Sequence, residues 1–179
     1  MNKENGWKTL EGVHINNIYD AIRETYDFMD KKGGFILAFL GTDSQNIGQK
    51  FTSFVQCVAL HMVDSNGIGK GGRVYYIRHL ESRHHNRQKR LLREAELSIK
   101  LGQKLEPLLN ELDIPFEIHA DVNSHAGDRK QNKSYDVHDA VKGWIESQLN
   151  VPCIMKPNAW LASIVCDKHT RSVKHYRKR

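Results

Sequence analysis

The chain has 179 residues, a formal net charge of +6 at pH 7 and a pI of about 9.2. That length suits a single domain over 1–179 and can bury a core without disulfides or structural metal. The basic balance suits a polyanionic partner such as nucleic acid, and is also common among soluble proteins of no such function.

The three cysteines, Cys57, Cys153 and Cys166, form no CxxC pair, and the ten histidines show no zinc-finger spacing. Both facts argue for reduced thiols and against structural zinc. No apolar run is long enough to cross a membrane, and the opening Met1-Asn-Lys-Glu-Asn5 lacks the apolar core of a signal peptide. The expected location is cytoplasmic.

In chain order, Ile15, Ile18, Ile22, Tyr26 and Met29 recur at helical spacing, which predicts an amphipathic helix over about 13–31, stopped by Gly33 and Gly34. Phe35 to Leu40 is a continuous apolar run and reads as a buried strand ending in Gly41-Thr-Asp-Ser-Gln45. A second strand spans Phe51 to Val63, and Val74 to Ile77 reads as a third after a glycine-rich turn. A long helix follows from about Asn86 to Leu105, where Pro107 interrupts it. Phe116 to Asp121 is the fourth strand, Ser134 caps the next helix, and Val151 to Met155 is the fifth strand. A last helix runs from about Ala159 to His169, and 171–179 form a basic tail. The order helix-βββαβαβα predicts an α/β fold with a mixed five-stranded sheet, in which an antiparallel meander is followed by parallel strands.

On this plan Asp43 and Asp121 end two strands that pair in parallel, so both stand at the carboxyl edge where open α/β sheets bind ligands. Two carboxylates there repel one another unless a cation neutralises them, and a hard ion such as Mg²⁺ or Mn²⁺ suits them. Taken singly, each aspartate also suits a turn cap. On the long helix, Glu94 falls within the apolar arc set by Leu91, Ala95, Ile99 and Leu101, whereas Glu96 falls among Lys89, Lys100 and Gln103. Glu94 is the better candidate, unless it merely pairs with Arg90 or Arg87. Asp167 lies seven residues beyond Trp160, on a stripe with Ile164, and is equally readable as an exposed acid flanked by Lys168 and Arg171.

Three blocks, Gly41-Thr-Asp-Ser-Gln45, His119-Ala-Asp-Val-Asn123 and Lys156-Pro-Asn-Ala-Trp-Leu-Ala-Ser163, resemble the signatures of the YkuK-like family, a bacterial group of the ribonuclease H-like superfamily. The resemblance runs from the first strand to Cys166-Asp-Lys-His169. It implies a ribonuclease H-like fold with up to four acidic ligands for two divalent cations, Mg²⁺ or Mn²⁺. By position those acids are Asp43, Glu94 (or Glu96), Asp121 and Asp167.

The expected activity is metal-dependent phosphodiester hydrolysis of nucleic acid, DNA or RNA. Arg87, Arg129, Lys130 and Lys133 are candidates for contacts along the nucleic-acid backbone, and Lys156 for a phosphate or the attacking water. Their bland reading is solvated surface. The alternative is a non-catalytic nucleic-acid-binding or protein-interaction module on the same fold.

Overall fold

A computed structural model describes residues 6–123 and 137–171. The elements are β1 (Lys8–Thr9), α1 (Ile18–Asp30), β2 (Phe35–Ile47), β3 (Phe51–Val63), β4 (Gly69–Ser82), α2 (Arg87–Glu111), β5 (Phe116–Asn123), α3 (His138–Leu149) and β6 (Cys153–Lys156). A π-helical stretch, Leu161–Cys166, then runs directly into α4 (Asp167–Arg171). The strands form one sheet in the order β1-β4-β3-β2-β5-β6. The β2-β3, β3-β4 and β1-β4 pairs are antiparallel, and the β2-β5 and β5-β6 pairs are parallel.

This is the expected mixed sheet with one strand more. The sixth, β1, pairs only Lys8 and Thr9 with Tyr76 and Tyr75, too short to leave a period in the sequence. Residues 13–17 are not helical. Ile15 N–H donates to the Trp7 carbonyl at 2.9 Å, and Asn17 then caps α1 by accepting from the Tyr19 amide.

The helix α2 continues through Pro107 to Glu111. Proline costs a helix interior about 3 kcal/mol. Leu105, Leu108 and Leu109, all buried on either side of it, are worth more than that at about 1.5–3 kcal/mol each.

Strand alternation divides the interior into two layers. Ile36, Ala38 and Leu40 of β2 and Val58, Leu60 and Met62 of β3 pack against α1, α2 and α3. Val55, Cys57 and Ala59, from the other face of β3, pack against Leu161 and Cys166, with Phe39 and Trp160 beside them. Among the described residues the last helical segment roofs the second face, and this placement governs the site.

Candidate active site

The strand β2 does not stop at Leu40. It pairs with β3 through Asp43↔Val55 to Ile47↔Phe51, because the hairpin partner keeps the polar half of the strand extended. Asp43 is thus an interior strand residue, four short of Ile47, and caps no turn. The parallel pairing of β2 with β5 ends at Thr42↔Ala120. Asp43 and Asp121 are the next residue on each strand and stand together where the two diverge.

Alternation then separates the neighbours of Asp43. Thr42 and Ser44 face α2, where Ser98 donates to Thr42 Oγ1 at 2.8 Å and Ser44 donates to Glu94 Oε1 at 2.5 Å. Asp43 faces the last helical segment, where the buried Thr170 hydroxyl lies 3.3 Å from its Oδ2.

Glu94 is 5% exposed, on the inner arc of α2. Glu96 is held outside by Arg93 at 2.8 Å and Lys100 at 2.6 Å, and these partners lower its pKa.

The stripe expected for the last helix is corrected. Ile164 is 65% exposed, and the buried residues are Leu161, Ala162, Cys166 and Thr170. The cause is the wider i→i+5 turn of the π-helix, which rotates the face. Asp167 nevertheless reaches the site, since its charge acts on Asp43.

Two contacts seat this segment. Leu161 N–H donates to His119 Nδ1 at 3.1 Å, so the ring proton is on Nε2 and donates to Glu117 Oε1 at 2.9 Å. Burial pushes the His119 pKa down and favours this neutral form. At Gly41 a Cβ would come within 2.9 Å of the His119 carbonyl and 3.4 Å of Ala162 Cβ. The absence of a side chain there lets the last segment close over β2.

The electrostatics are those of a crowded carboxylate site. Burial, and then the charges of Asp121 and Asp167, push Asp43 from 3.8 up to about 7. Burial and the charge of Asp43 raise Glu94 well above 4.5. Asp43 is the neighbour common to the other three acids. Asp121 forms an ion pair with Lys156, Nζ to Oδ1 2.6 Å.

Among the described residues no three His, Cys, Asp or Glu side chains converge as a ready cation cage. The space lined by Glu94, Asp121, Thr42 and Ser98 is about 10 Å³, barely room for one water. A larger cavity of about 530 Å³, lined by Phe35, Val63 and Pro115 among others, is at the far end of β2, roughly 26 Å away at the rise of a strand.

Arg87 is the first residue of α2 and is exposed. Beside it Arg83, His84, His85 and Lys89 line a cavity of about 370 Å³ on the same edge of the sheet, where the Asn46 side chain donates to the His84 carbonyl. Arg129, Lys130, Lys133 and the tail beyond Arg171 lie outside the described residues. No helix is long and apolar enough to cross a membrane, among the described residues.

Spacing alone did not reveal Ser44, Thr170 or the Lys156–Asp121 pair. Ser44 follows Asp43 directly and Thr170 is one helical turn beyond Asp167, which is the faint signal each left.

A mixed sheet with acids from β2, α2, β5 and the last helix at one carboxyl edge defines a ribonuclease H-like α/β domain. A family model described as ribonuclease H-like matches residues 18–171. The protein therefore belongs to the ribonuclease H-like family, in its YkuK-like group. No curated protein matches the chain.

Proposed function

We propose that this protein hydrolyses phosphodiester bonds of nucleic acid with divalent cations held by Asp43, Glu94, Asp121 and Asp167. The observation that carries the reading is the meeting of Asp43 and Asp121 where the β2-β5 pairing ends, with Asp43 and Glu94 both buried.

The donor set fits a hard divalent ion. It is all oxygen, Asp43 and Glu94 are buried, and Asp121 Oδ1 is buried and already paired with a cation, the Lys156 ammonium. Burying so much like charge opposes folding, so the cluster is better explained by a ligand than by stability.

Two such cations, when bound, would activate the attacking water and stabilise the leaving oxygen. The protein's own part is positional. Ser44 orients Glu94, the Thr170 hydroxyl, shared between the Asp167 carbonyl at 2.8 Å and Asp43 at 3.3 Å, ties Asp43 to the last helix, and the His119–Leu161 contact sets the segment that carries Asp167. Arg87 and the basic edge around Arg83 and Lys89 attract the phosphate backbone, and Lys156, partly exposed beside Asp121, is a candidate for a phosphate contact.

Incubation of the purified protein with single- and double-stranded DNA, RNA and hybrid tests the reading. Cleavage is expected with Mg²⁺ or Mn²⁺, none with Ca²⁺, whose looser and larger coordination shell does not enforce the geometry, and none in EDTA. Full cleavage in EDTA would contradict the proposal. Binding without cleavage under every cation would leave the non-catalytic module in its place.

A further inference from the structure

The strand β5 is irregular at the acid site. Its register with β6 jumps from Ala120↔Met155 to Asn123↔Lys156, so Asp121 and Val122 are extra residues facing no partner of their own. Bulges of this kind re-aim a side chain. Here the bulge sets Asp121 beside Lys156, with Nζ 2.6 Å from Oδ1 and the side chains 36% and 21% exposed. That oxygen is itself buried, so the ammonium pairs with a carboxylate oxygen shielded from water.

We propose that Lys156 is a resident counter-cation of the acid site, holding Asp121 in the metal-free protein and leaving it when a divalent cation binds. The inference rests on the metal-site reading above. A Mg²⁺ or Mn²⁺ ligated by Asp121 Oδ1 would sit about 2.0–2.2 Å from an oxygen that the ammonium approaches just as directly. Two cations that close repel strongly in a partly dehydrated site. Cation affinity is then weaker than the four acids alone would give. The metal-free protein is spared one unpaired, partly buried carboxylate in return.

Calorimetric titration of the EDTA-stripped, full-length protein with Mn²⁺ tests the exchange. K156M removes the charge at similar length and should bind Mn²⁺ about three- to fivefold more tightly, the upper range one partly exposed ion pair supports. K156R keeps the charge and should stay within about twofold of the parent, since its pairing with the carboxylate is preserved. In a Mn²⁺-soaked crystal of the parent, Nζ should lie beyond 4 Å from Asp121, the usual limit of an ion pair.

Unchanged or weaker Mn²⁺ binding by K156M would overturn the proposal. So would equal tightening in K156R, or a soaked crystal with Mn²⁺ on the acids and Lys156 still on Asp121. If K156M does not fold, K156Q takes its place in the same titration. A parent that binds no Mn²⁺ at all would instead overturn the metal site itself, and is read without any variant.

Discussion

Asp43→Asn abolishes cleavage and, in EDTA at pH 7.5–8, leaves the protein at least as stable as the parent. Asp43 is pushed up from 3.8 to about 7 by burial and by Asp121 and Asp167. A raised carboxyl means that the folded state binds the proton more tightly than the unfolded state. Asp43 therefore costs nothing below its ordinary value, and its cost grows as the pH rises through about 7. Well above that pH the cost approaches about 4 kcal/mol, the free energy of the shift. Asparagine removes the charge and keeps an oxygen for the Ser44 amide and the Thr170 hydroxyl. At about 2–4 °C per kcal/mol for a chain of this size, a gain of up to about 8–16 °C is expected in EDTA near pH 8, shrinking as the pH falls toward 5.

Mn²⁺ reverses the order. At a hundred times Kd the parent gains about 2.7 kcal/mol, because only the folded chain has the site. The variant gains much less. Were Asp43 merely structural, its removal would cost stability in EDTA. A destabilised Asp43→Asn with an undiminished Mn²⁺ response would sink the metal-site reading of this residue.

Glu94→Gln lowers kcat/KM by at least about a hundredfold, more than the loss of an outer-shell partner usually costs a metal site. Glu96→Gln stays within about twofold of the parent and changes stability by less than about 1 kcal/mol, as expected of a partly exposed ion pair. The two residues are one turn-fraction apart and differ in surroundings. Glu94 is buried against Ser44, while Glu96 is tied to Arg93 and Lys100 outside. Measured side by side on one substrate, equal activities would remove Glu94 from the site. A loss confined to Glu96→Gln would reverse the assignment.

The helical arc of α2 was legible because Leu91, Ala95, Ile99 and Leu101 are all buried as the period requires, and Glu94 fell inside it. The edge shared by Asp43 and Asp121 was legible from the order of the elements. The last helix was not. A π-turn adds a residue per turn without changing composition, and so moved Ile164 out and Cys166 in.

The length of β4 was hidden for a different reason. Gly69-Lys-Gly-Gly-Arg73 reads as a turn, yet it pairs along β3, and at Gly72 a Cβ would come within 2.8 Å of the Leu60 carbonyl. Ser44, Thr170, His119 and the Lys156–Asp121 pair depend on tertiary proximity over gaps of 35 to 127 residues, which no local pattern carries.

The most direct measurement is anomalous diffraction from a Mn²⁺-soaked crystal of the unmodified protein. Two peaks are expected about 3.5–4 Å apart, ligated by carboxylate oxygens of Asp43, Glu94, Asp121 and Asp167. Saturating Mn²⁺ with no peak at these four acids, or peaks only elsewhere on the surface, would contradict the account.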